Sequence, residues 1–288
     1  MKPAAFEYQA PTTLGDAIDL LLSDPDATII AGGQSLMPVL ALRLAIPSML
    51  VDLRRVPGLD SIAISDRGVR LGAGVRWRDI ENDQRLERAH PLLREALAHV
   101  AHYQIRNRGT VGGSLAHADP AAELPGIAVA CDAEITLVGA TGARNIRAAE
   151  FFTGPLSTLR QRGEIITELH LPFWPMDRRW AFREFAQRQG DFALAGIALF
   201  YDEDQDGRVG NAHVGVIGAC DRPQRASEVE ALLNARSVDE ALIREAAETA
   251  ARTVDPSEDL HAPAAYRRAL VAKLVERGLR SAAQRRSG

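Results

Sequence analysis

The sequence predicts an α+β protein in three parts, and three observations carry that prediction. Short apolar runs alternate with helical patterns as far as Pro172. Three strand-like runs then follow one another without a helix between them, at residues 180–186, 194–201 and 209–217. Three helical patterns come last, at 228–234, 238–254 and 264–280. Strands followed by helices mark a separate α+β unit. The expected parts are therefore residues 1–55, 56–174 and 175–288, the last holding a three-stranded antiparallel sheet and three helices.

In the first part, apolar Leu14, Ala17, Ile18, Leu21 and Leu22 share one face of a helix over 12–22, which Thr13 caps with Asp16 three residues on. The dipeptide Asp24-Pro25 ends it. A strand over 27–31, a helix over 38–44 and a strand over 49–53 complete a small α/β unit. In the second part, strands are expected at 69–71, 134–138 and 165–171, and helices at 78–85, 91–101 and 121–130. The last residues, "RSAAQRRSG", read as a frayed tail. No repeat of solenoid period is present.

Composition narrows the function. A formal net charge of -4 argues against a nucleic-acid binder, whose footprint is basic. No apolar run has the length of a membrane span, and no signal-peptide pattern opens the chain, so a cytoplasmic protein is expected. Two cysteines, Cys131 and Cys220, cannot supply four thiolates to an iron–sulfur centre or a zinc site. They read as small buried hydrophobes.

Several motifs dissolve on inspection. "LGAGVRW" offers Gly-x-Gly, but Trp77 stands where a dinucleotide fingerprint needs a third small residue. "DEDQDG" at 202–207 begins like a calcium loop, but its twelfth position is His213 and its flanks are strand-like, so a charged hairpin turn is expected. His99 and His102 lie three apart on an expected helix, as a surface or interface pair. No Gly-x-Ser-x-Gly and no metal-ligand spacing occurs. Neither a catalytic acid, base or nucleophile nor a metal site is expected.

Two glycine pairs remain, "IIAGGQSLMP" at 29–38 and "GTVGGSLAHADP" at 109–120. Glycine is placed where the backbone needs positive φ or where another group comes close. Two in succession leave a run of N–H groups unobstructed, and such a run can form an anion cradle beside a helix N-terminus. The second pair adds the hydroxyls of Thr110 and Ser114. Two tight turns would explain the same residues. Arg106 and Arg108, just before the second pair, are either solvated or help to hold an anion.

Taken in order, the stretches "ATIIAGGQSLMPVLALRLAIPSMLVDL" (27–53), "IRNRGTVGGSLAHADPAAELP" (105–125), "GEIITELHLP" (163–172) and "FREFAQRQGDFALAG" (182–196) resemble the FAD-binding medium subunit of the molybdenum hydroxylases. That family includes carbon monoxide dehydrogenase and xanthine dehydrogenase. The resemblance implies a p-cresol methylhydroxylase (PCMH)-type FAD-binding domain of two α/β subdomains, followed by a C-terminal domain. It implies that Ala31, Gly32, Gly33, Gln34, Ser35 and Leu36, with Thr110, Val111, Gly112, Gly113 and Ser114, hold the pyrophosphate and ribityl chain. It implies an FAD contact for Glu123, with His117 and Asp119 as weaker candidates in the same segment. Phe192 would pack on the isoalloxazine ring, and Ile165 and Ile166 would be apolar neighbours of the cofactor. Where many relatives carry a lysine after the aromatic matching Phe182, this chain has Arg183 and Glu184, and Arg183 is the candidate cation near the flavin.

The partners so implied are a molybdopterin-containing large subunit, a small subunit with two [2Fe–2S] clusters, and an external electron acceptor, assembled as a dimer of heterotrimers. A stand-alone FAD-dependent oxidoreductase of PCMH-type fold and a flavin-free scaffold protein are the alternatives.

Overall fold

The computed structural model describes residues 2–285 and builds three main sheets in chain order, with a two-stranded sheet besides. The first holds β1 (Glu7–Gln9), β2 (Thr28–Ile30) and β3 (Met49–Asp52), all parallel in the order β1-β3-β2. Helices α1 (Leu14–Ser23) and α2 (Leu36–Ala41) make the crossovers that parallel strands require. The expected cap of α1 is present: Thr13 Oγ1 accepts from the Asp16 N–H at 3.1 Å and donates to Asp16 Oδ2 at 2.7 Å. Ala17, Ile18 and Leu21 then pack with Met49 and Val51 in a small core.

The second sheet is antiparallel, in the order β4-β5-β10-β6-β7. Strands β4 (Ile62–Ser65) and β5 (Gly68–Gly72) lead into six short helices: α3 (Trp77–Asn82), α4 (Leu86–Ala89), α5 (Pro91–Leu97), α6 (Tyr103–Arg106), α7 (Val111–His117) and α8 (Glu123–Ala130). Then come β6 (Glu134–Gly139), β7 (Gly142–Arg147), α9 (Ala148–Phe151), the small hairpin β8 (Phe152–Gly154) and β9 (Ser157–Thr158), and β10 (Ile165–Pro172). The helix expected over 91–101 stops at Leu97, and His102 precedes the separate turn α6, so His99 and His102 do not share a helix.

The third sheet is antiparallel: β11 (Arg179–Ala186), β12 (Ala193–Glu203), β13 (Val209–Ile217) and β14 (Gln224–Arg225). The three expected strands are there, and the two-residue β14 extends them. The acidic stretch 202–207 forms the β12–β13 hairpin turn, where Asp204 Oδ1 accepts from the N–H groups of Asp206 and Arg208. Helices α10 (Ser227–Leu233), α11 (Glu240–Thr253) and α12 (Ala264–Gln284) cover one face.

The chain end departs from the expected frayed tail, because α12 continues to Gln284. Ala282 is fully buried, Ser281 accepts from Arg183, and the Arg285 guanidinium lies 3.5 Å over the Trp180 ring. The rest of the tail, 286–288, lies outside the described residues.

Strand β12 explains how the parts join. Its first nine residues are all buried, so it reads as one continuous apolar run instead of alternating. Ala198 and Phe200 face the core of the second unit, together with Ile127 and Leu169. Ile197, Leu199 and Tyr201 face the other way, into the core with α11 and α12. Cys131 and Cys220 are buried free thiols, as expected.

Candidate functional site

The two glycine segments meet. The carbonyl of Arg108 and the Cα of Gly109 occupy the space where a β-carbon on Gly32 would lie, at 2.3 and 2.9 Å. Ala31 Cβ comes 3.9 Å from the matching position on Gly113. This junction lines a cleft of about 1970 Å³ whose walls come from the layers of all three main sheets. Ordinary small-molecule pockets reach about 1,000 Å³, so this one suits a long ligand of dinucleotide size.

The two segments are built differently. Gly33 has φ +71°, and the chain turns there so that the Gly33 carbonyl accepts from the Met37 N–H at the start of α2. Among the described residues, nothing accepts from the N–H groups of Gly32, Gly33, Gln34 or Ser35. These are the open donors of the cleft. The second segment is a helix, not an open loop. Thr110 caps α7 through its Oγ1, which accepts from the Gly113 N–H at 3.1 Å. Val111 N–H donates to Val75, Gly112 N–H to Ala73, and Ser114 N–H to Thr110. The expected run of free N–H groups is therefore absent here, because the helix cap and the β5–α3 connection consume it. The second segment offers the Thr110 and Ser114 hydroxyls instead.

The other expected residues sort themselves by position. Leu36, Glu123, Ile165, Ile166 and Phe192 line the same cleft, as do His117 and Asp119. Phe192 sits in the β11–β12 connection with 68% of its surface exposed, an aromatic face open for stacking. Val111 is fully buried in the core, so it supports the segment from behind. Arg183 is turned away from the cleft. It donates to Glu95 Oε1 at 3.2 Å and to Ser281 Oγ at 2.6 Å, because odd-numbered residues of β11 face α12 while even-numbered ones face the inner layer. It is not a cation of this site.

Cations do reach the cleft from elsewhere. Arg108 and Arg76 line it and make no ion pair among the described residues, whereas Arg106 turns inward to the carbonyls of Val100 and Ala101. Arg267 is 4% exposed and also lines it; its Nη1 donates to the carbonyls of Leu194 and Gly218 and its Nη2 to Asp259. Nothing in the local sequence marks Arg267, since it acts on strand ends more than forty residues away. Glu123, in the first turn of α8, is pushed up to about 7 by burial, with Asp119 adding repulsion.

The glycine cradle, the free N–H groups, the two hydroxyls, the exposed Phe192 ring and the unpaired arginines fit a ligand with a pyrophosphate and a flat ring. Comparison with known proteins agrees. Residues 4–174 match the FAD binding domain in molybdopterin dehydrogenase, and residues 180–282 match the CO dehydrogenase flavoprotein C-terminal domain. The chain is 39% identical to the nicotine 6-hydroxylase medium subunit of Paenarthrobacter nicotinovorans, over 99% of this chain and 100% of that one. A structure of carbon monoxide dehydrogenase from Hydrogenophaga pseudoflava superposes with a TM-score of 0.95 at 34% identity, covering 99% of this chain and 100% of its own. Quinoline 2-oxidoreductase from Pseudomonas putida 86 gives 0.93 at 37% identity, covering 98% and 99%. The chain belongs to the FAD-binding medium-subunit family of the molybdenum hydroxylases, and its cofactor is FAD.

Proposed function

We propose that the chain is the electron-transferring FAD subunit of a heteromeric molybdenum hydroxylase. One observation carries the reading: the two glycine segments, distant in sequence, are locked backbone to backbone at Gly32 and Arg108, and both line one cleft of dinucleotide size. The free N–H groups of 32–35 would hold the pyrophosphate, together with the Thr110 and Ser114 hydroxyls. Phe192, exposed in the cleft, would stack on the flavin ring. FAD, when bound, accepts electrons one at a time and passes them on.

The partners on this reading are a small subunit with two [2Fe–2S] clusters and a large molybdopterin subunit, as a dimer of heterotrimers in the cytoplasm. Two support the division of labour: this chain's two cysteines are both buried, and relatives are named as medium subunits. The large subunit selects the organic substrate, and an external acceptor takes the electrons.

The chain expressed alone should show a flavin spectrum after mixing with FAD. Purification through a tag from the native host should bring down a molybdopterin subunit and an iron–sulfur subunit. FAD binding without either partner would replace this reading with a stand-alone flavin oxidoreductase. No FAD binding would end both.

A further inference from the structure

Glu184 belongs to neither glycine segment and does not line the cleft, yet its side chain is only 3% exposed. On β11 it follows Trp180 and Phe182 on the face turned towards the inner layer. Its Oε1 lies 3.8 Å from Nδ1 of His99, just beyond α5, and its Oε2 has no hydrogen-bond partner among the described residues. A buried carboxylate without a partner is strongly disfavoured, so the group holds a proton instead. The two acids flank Ile217: a β-carbon on Gly196 would stand 3.4 Å from Ile217 Cβ and 3.6 Å from Glu184 Cγ, and one on Gly126, one turn along α8 from Glu123, would stand 2.2 Å from Ile217 Cγ1. Burial, and then repulsion from Glu123, push Glu184 up to about 8.

Among the described residues, no neighbouring cation relieves the pair. His99, tilted against the Phe182 ring at 5.0 Å, has its pKa lowered by burial, while Glu95 pulls it up and Arg183 pushes it down. Arg183 and Arg285 are both spent on Glu95. Asp119 adds a further negative charge on the α8 side. Glu123 is the only one of the two carboxyls that reaches the cleft.

We propose that Glu123 and Glu184 form one proton-holding unit in the inner wall of the cleft. Glu123 is the ligand-facing member and Glu184 the positioning residue behind it. When protonated, the unit meets a pyrophosphate-bearing ligand as a neutral hydrogen-bond donor. When its protons pass to bulk water, it becomes an anion facing a dianion. The inference rests on the reading of the cleft as the FAD site. No electrons move in this step, and the titration belongs to the pair and not to either residue alone.

The test is the FAD dissociation constant of the apoprotein from about pH 6 to about pH 9, a range that brackets both carboxyls. Wild type should lose at least about fivefold in affinity across that range, as like charges gather in the wall. Glu184→Gln should match wild type at the acid end and lose clearly less at the alkaline end. Identical profiles for the two proteins would overturn the inference while leaving the FAD site intact. Infrared titration of the apoprotein reads the pair without flavin. Glu184→Gln should show one fewer carboxyl titrating near neutral pH, and an unchanged number would overturn the inference even if no FAD bound at any pH.

Discussion

Gly32 and Arg108 are in backbone contact: a β-carbon on Gly32 would stand 2.3 Å from the Arg108 carbonyl oxygen. That oxygen belongs to a rigid main chain, so it cannot swing aside. Gly32→Val should therefore push the two glycine segments apart. The expected cost is about 1–3 kcal/mol in chemical denaturation, with loss of FAD retention in the protein that still folds. Retention of a full flavin complement would show that the junction does not set the cleft.

Thr110 holds the first turn of α7. Thr110→Ala should cost about 1 kcal/mol in urea denaturation, the usual loss for a removed cap. Thr110→Ser keeps the hydroxyl and should restore most of it. Equal loss in both variants would mean that the methyl group, not the cap, matters.

Phe192 is exposed, so Phe192→Ala should change stability by no more than about 0.5 kcal/mol. Its effect should appear in the cofactor spectrum, where the flavin bands and fluorescence quenching report the ring's surroundings. An unaltered spectrum would remove Phe192 from the ring site.

Arg267 ties the start of β12, the end of β13 and the loop before α12. Arg267→Met keeps the bulk and deletes three charge-assisted hydrogen bonds. We expect a loss of about 3 kcal/mol, together with weaker FAD binding, because Leu194 follows Phe192 by two residues. Lost stability with normal FAD affinity would confine Arg267 to a structural role.

Glu164 accepts from Arg144 Nε at 2.6 Å and Nη2 at 2.8 Å, and the Gln161 N–H donates to its Oε2. The hydrogen bond from Arg144 is the largest influence holding its carboxyl below the usual glutamate value of 4.5. A carboxyl lowered by folding adds stability above its unfolded value, and that stability is lost as pH falls through the folded value. Glu164→Gln should therefore be less stable than wild type at neutral pH. The two should converge as pH falls through the folded value, which lies below 4.5. Parallel curves at all pH values would count against the ion pair.

Much of this was legible in the sequence. The caps and apolar faces of α1 and β12 follow from residue order alone. What escaped was set by neighbours. Strand β7, "GARNIR", is an edge strand with one buried residue, so it lacks the alternation that marks a strand. The second glycine pair carried a turn signature, but contacts with Val75 and Ala73 wound it into α7. Arg183 and Glu184 are adjacent in sequence, and only the pleat of β11 shows that the arginine faces away and the glutamate faces in. Arg267 and Glu184 gain meaning from burial by segments far along the chain.

Strand β12 is buried on both faces, one against each of two cores. The two matched family regions, divided between residues 174 and 180, are therefore not exchangeable modules. A fragment ending at 174 would bare the surface that Phe182, Ala198 and Phe200 cover, and it would lack Phe192 as well. Descent has to carry both regions together, since a recombinant taking its second region from a distant relative must match that buried surface before it can hold a cofactor.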